Sequence, residues 1–135
     1  MSRKLARGKV LQALFQIDVG KNDPAEALAY ITENALEQDK EFIINYIHGI
    51  VLELEPIDAC INQYAKDWQA DRLPNVDRNV LRIAVYEMLH QELHLPGPVV
   101  INEALELVKM FSSEEAVPFV NGLLDTLYKS VQVDG

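Results

Sequence analysis

One cysteine, Cys60, stands in 135 residues, so no intramolecular disulfide framework can hold this chain. Alternating apolar and polar runs of strand length, bounded by turn residues, are also missing, which speaks against a sheet. No apolar run approaches the roughly 20 residues that a membrane span needs, and the N-terminus lacks the apolar core of about 7 to 15 residues that marks a signal peptide. A soluble protein of the reducing cytoplasm is therefore expected, with no membrane attachment. Gly-rich phosphate loops, Cys and His ligand pairings and nucleophile elbows are absent, and the acids are spread along helical faces rather than paired. Neither an enzyme nor a cofactor is expected.

Cations are scarce as well, at 12 Lys and Arg against 21 Asp and Glu. Four of the twelve, Arg3, Lys4, Arg7 and Lys9, lie in "SRKLARGK"; the first nine residues carry +4, so the other 126 carry -13 within the net charge of -9. Such a body repels nucleic acid and suits a basic protein partner. Any contact with RNA or DNA has to be local.

What fills the sequence is apolar residues at three- and four-residue spacing, the period of helices. The pattern predicts an all-α fold of about seven helices in a single domain, with sub-bundles at about 1–70 and 75–135 and a hinge in "QADRLPN". The first helix, about 3–18, carries Ala6, Val10, Ala13, Leu14 and Ile17 on one stripe, and Asp23 caps the second with Pro24 at its first position. The third faces Ile43, Tyr46, Ile47, Ile50 and Leu54 inward, and the fourth, starting at Pro56, is lined by Ile57, Cys60, Ile61, Tyr64 and Trp68. A fifth, about 76–92, is apolar nearly all round from Val80 to Leu89 and reads as the central, most buried helix. The sixth places Ile101, Ala104, Leu105, Val108 and Phe111 inside, and Ser112 to Glu115 read as a capping box before the seventh. "FVNGLLD" contains Asn-Gly, a hairpin signal, but the stripe Val120, Leu123, Leu124, Leu127 and Val131 is helical and outweighs it. A glycine inside that helix implies close approach at Gly122 by another helix or by a ligand backbone.

Several residues could carry function. On a helical wheel Arg3, Lys4 and Arg7 share an arc of about 100°, and with the free N–H groups of the first turn they make an anion site, whereas Lys9 points elsewhere. Arg82, alone among Leu81, Ile83, Ala84 and Val85, must snorkel, find a buried carboxylate such as Glu103, or face a ligand. Arg78 and Tyr86 lie one turn either side of it, and an Arg, Arg, Tyr row suits phosphates and bases. Arg82 is expected to pack its stem in the core and present its head toward the basic end of the first helix. Phe119 reads either as a packed edge aromatic or as a stacking residue. His90 and His94 have the spacing of a zinc pair but no third ligand, and read as solvated histidines near a helix end; no metal is expected.

Four stretches, "ARGKVLQALFQID", "VDRNVLRIAVYEM", "VINEALELVKMF" and "FVNGLLD", make the chain resemble the NusB family of bacterial transcription antitermination factors over essentially its full length. The resemblance implies seven helices in two small bundles. It implies recognition of the box A element of nascent ribosomal-operon RNA as a heterodimer with NusE, the small-subunit ribosomal protein S-ten, within the RNA polymerase antitermination complex. It places RNA contacts on Arg3, Lys4, Arg7 and Arg82, an aromatic near the RNA on Phe119, with Tyr86 a further stacking candidate, and the docking of the protein partner at Asp77 and Arg78. The alternative is an acidic helical adaptor that grips a basic partner and never touches RNA.

Overall fold

The three- and four-residue apolar spacing becomes seven α-helices in the computed structural model, which describes residues 3–65 and 70–134, with no strand among them. Trp68 lies outside the described residues. No helix among them is long and apolar enough to cross a membrane. The chain divides into two units, Met1–Glu53 and Leu54–Gly135.

The first unit holds α1 (Arg3–Asp18), α2 (Pro24–Ile31) and α3 (Glu37–Leu52), with α1 packed on both others. Ala6, Val10, Ala13 and Leu14 of α1 are buried with Ala27, Leu28 and Ile31 of α2 and Ile43, Tyr46, Ile47 and Ile50 of α3. Each isoleucine so buried contributes about 1.5 to 3 kcal/mol. Ile17, on the expected stripe, is half-buried, and Leu54 opens the next helix instead of closing α3. The start of α2 follows its sequence signals: Pro24 sits in the first turn, and the Asp23 carboxylate accepts from the Ala25 N–H at 3.2 Å. That bond satisfies one amide that the first turn leaves without an intrahelical acceptor. At the other end the Thr32 hydroxyl donates to the Leu28 carbonyl at 2.6 Å.

The second unit holds α4 (Leu54–Ala65), a short 3-10 turn at Ala70–Arg72, α5 (Asn75–Leu89), α6 (Gly97–Phe111) and α7 (Val117–Asp134). Helix α5 packs on α4, α6 and α7, and every residue from Asp77 to Met88 is buried. Val80, Leu81, Ile83, Ala84 and Val85 are exposed by no more than 1%. This is the helix whose apolar residues run nearly all round, and such a helix is stable only when covered on every side.

The structure differs from the sequence reading at four further places. The division of the chain falls at Glu53, one helix before "QADRLPN". Helix α4 buries Ile57, Ile61 and Ala65 in the second unit, where it packs on α5 and α7, while the break at Pro74 only starts α5. Helix α6 buries Val100, Ala104, Leu107 and Val108, a set at i, i+4, i+7 and i+8, and leaves Ile101 and Leu105 half-buried and Phe111 exposed. No capping box forms. Ser112 closes α6, its N–H donating to the Val108 carbonyl at 2.8 Å, and Ser113 makes no side-chain cap bond as a 3-10 turn at Glu114–Ala116 leads into α7.

The fourth difference concerns glycine. Helix α7 runs through Asn121 and Gly122 as its stripe requires, yet a Cβ on Gly122 would meet nothing within 4 Å. The close approach is at Gly97 in "LPGP", where a Cβ would overlap the Tyr128 ring of α7. That stretch, which begins six residues after α5 has ended at Leu89, opens α6. Gly122→Ala is therefore expected to raise stability by about 0.5 to 1 kcal/mol, and Gly97→Ala to lower it by about 1 to 3 kcal/mol. Urea unfolding midpoints measure both, and the reverse order would contradict this packing.

Candidate nucleic-acid interface

In the first unit, packing α1 on α2 and α3 fixes where its basic end points. Arg3 and Lys4 are exposed in the first turn, which holds no acid, and Arg7, one turn on, is 5% exposed. Cations here oppose the helix dipole, so they need other support. It comes from Phe42 of α3: the Arg3 Cζ lies 4.4 Å from the centroid of that ring, and the Arg7 Cζ 6.0 Å. Phe42 in turn stacks on Tyr46, with centroids 4.2 Å apart and planes at 27°. The sequence reading did not single out Phe42. Its signal is a pair of i, i+4 spacings, Arg3 with Arg7 and Phe42 with Tyr46, which acquires meaning only once α1 is known to lie on α3. Lys9 lies apart from this group, lining a cavity of about 420 Å³ with Tyr30, Glu33 and Asn34.

In the second unit the arginines of α5 turn inward. Arg78 donates to the carbonyls of Ala70, Asp71 and Leu73 at 3.3 to 3.4 Å and to Asn75 Oδ1 at 2.7 Å, tying the 3-10 turn to the start of α5. Arg82 packs its stem in the core as expected, but its head is taken by Asp58 of α4, not offered outward. Nε and Nη2 reach the two carboxylate oxygens at 2.9 and 2.8 Å, and Nη1 donates to Asn79 Oδ1 at 3.0 Å. Tyr86 is buried, its ring 4.4 Å from that of His90. Arg78, Arg82 and Tyr86 thus share one helix without forming an exposed row.

Asp77 and Phe119 meet in one cleft of about 260 Å³, with Leu73, Pro74 and Ala116 as apolar walls. Phe119 is half-buried. Asp77 is buried, and its Oδ1 has no hydrogen-bond partner. Around them the second unit carries thirteen acids and six bases.

The remaining candidates are placed as follows. Helix α5 ends at Leu89, so His90 and His94 do not share a helical face; His94 has φ 55° in the following link. His90 pairs with Glu92, and that hydrogen bond, first among the causes, holds the exposed Glu92 carboxyl below its usual range. Among the described residues no three His, Cys, Asp or Glu side chains gather as metal ligands. Burial pushes the half-buried Cys60 thiol up, which lowers its thiolate fraction.

The bidentate pair generates a test of the second unit. Removing Asp58 deprives the buried Arg82 of that carboxylate, so Asp58→Ala is expected to cost about 3 kcal/mol, whereas Asp58 is partly exposed and Arg82→Ala costs mainly the packing of the arginine stem. The double variant should cost clearly less than the sum. Additive losses in urea unfolding would show that the pair is not coupled.

Comparison with known proteins bears on this arrangement. The sequence pattern of the NusB family matches residues 4–129. The transcription antitermination protein NusB of Heliobacterium modesticaldum is 42% identical over 134 residues, covering 98% of this chain and 65% of that longer protein. The protein of the same name from Bacillus pumilus is 41% identical over 127 residues, covering 94% of this chain and 95% of that one. The fold is similar to that of T. maritima NusB, with a TM-score of 0.88 at 40% identity over 96% of this chain and 92% of that one. It is also similar to a chain in the crystal structure of antitermination factors NusB and NusE in complex with dsRNA, with a TM-score of 0.84 at 30% identity over 95% of this chain and 96% of that one. Four ordered motifs, seven helices and full-length similarity agree: the chain belongs to the NusB family of transcription antitermination proteins.

Proposed function

We propose that this antitermination factor binds the box A element of nascent ribosomal-operon RNA together with NusE, and acts so within the RNA polymerase antitermination complex. The observation that carries the reading is the basic end of α1, where Arg3 and Lys4 stand exposed beside Arg7 in a chain otherwise dominated by acid. Phosphate oxygens need such donors, and the first-turn amides of α1 add to them. A structurally similar chain is found in a complex with NusE and dsRNA, which supports both partners.

The two units take different shares of the work in this reading. Arg3 and Lys4, both exposed, hold phosphates, and the buried Arg7 adds its charge at the same end of α1. Arg82 and Tyr86, both more than nine-tenths buried, serve the fold, and Arg78 secures the start of α5. Phe119 offers a half-exposed ring for a base, while Asp77 in the same cleft supplies acid for a basic protein. That cleft is the place in the second unit where RNA and NusE would come together.

Two direct phosphate contacts at about -0.7 each give a slope of about -1.4 in log K against log salt, so RNA affinity without NusE is expected to be modest. Replacing Arg3, Lys4 and Arg7 together by Ala should flatten that slope and weaken RNA binding both with and without NusE. Equal affinities of the two proteins under both conditions would leave the adaptor that never touches RNA. For NusE itself, charge acts mainly on encounter, so added salt is expected to slow association more than it speeds dissociation. An on-rate indifferent to salt would argue for an apolar interface.

A further inference from the structure

We propose that Phe42 is a positioning residue for RNA binding, its ring holding the Arg3 guanidinium ready for a phosphate. This rests on the reading of the α1 basic end as the phosphate site. Arg3 is the first residue of α1, in a turn without acids, where helices fray and where the dipole disfavours a cation. A long side chain there loses rotamer freedom when it grips a phosphate, and a guanidinium already seated on a ring loses less. The seat is firm: Phe42 is half-buried and stacked on Tyr46, which is buried in the core of the first unit.

The geometry suits an anion. With its Cζ 4.4 Å from the ring centroid, the Arg3 guanidinium meets the ring on one side, and donors turned away from the ring are left for phosphate oxygens. Arg7 shares the same ring at 6.0 Å. Lys4, a point charge, has no use for such a seat; Arg3 does.

The test uses the full chain with box A RNA in the presence of NusE. Phe42→Leu keeps an apolar side chain and removes the ring, and is expected to weaken RNA binding about two- to fivefold. Phe42→Tyr, which keeps the ring, should bind as wild type. In an Arg3→Ala background Phe42→Leu should add little. Arg3→Lys, which leaves α3 untouched, keeps the charge but loses the planar stack, and should weaken binding about as much as Phe42→Leu. In NMR spectra of the free protein, the Arg3 side-chain protons should show a ring-current shift that Phe42→Tyr preserves and Phe42→Leu abolishes. If Arg3→Lys binds as wild type, or if Phe42→Leu weakens binding equally with and without Arg3, the inference is overturned. If Arg3→Ala leaves RNA affinity unchanged, the phosphate-site reading itself fails and this inference with it, whatever the ring-current shift shows.

Discussion

Covering α5 on all sides takes Arg78 and Arg82 out of water, and a charge so removed must find its partners inside the protein. Much of the second unit follows from that demand. Asp58 on α4 answers Arg82 with both carboxylate oxygens, which ties α4 to α5, and Asn79 takes a further donor. Three backbone carbonyls of the segment before α5 answer Arg78, which secures the 3-10 turn and the start of the buried helix. The apolar residues of α4 and α5 explain why those helices pack. The two arginines set where α4 and the turn must lie.

A consequence reaches the surface. With Arg78 and Arg82 engaged internally, the second unit turns mostly acid to solvent and suits a basic protein. Exposed cations of the phosphate-binding kind stand at the start of α1, in the other unit. In the proposed reading, a chain of net charge -9 serves a polyanion and a basic partner by dividing its cations between a structural set and a binding set. At physiological salt, screening over about 8 Å lets a small basic site work on a protein whose total charge is adverse.

The helices were legible in the sequence because their stripes are long and regular, and α5 was legible because its apolar residues run nearly all round. The basic end of α1 could be read for a similar reason: three cations within five residues fall on one arc. What could not be read depends on pairings distant in sequence. Asp58 lies 24 residues from Arg82, and nothing in the spacing marks it among the acids of α4. Phe42 meets Arg3 only because α1 lies on α3. Gly97 at the start of α6 meets Tyr128 of α7, a contact between residues far apart in sequence. The α6 stripe was misplaced because Ile101 and Leu105 match Val100 and Leu107 in hydrophobicity, and only the neighbouring helices decide which set is covered.

The central claim is that structural and binding cations are separate sets. The most direct measurement follows the arginine side-chain N–H signals of the full chain by NMR as box A RNA is titrated in with NusE present. Signals of Arg3 and Arg7 are expected to shift with RNA, while those of Arg78 and Arg82 stay where they are and remain protected from exchange. Movement of Arg82 on RNA binding with Arg3 and Arg7 unmoved would contradict the division and return RNA recognition to the buried helix.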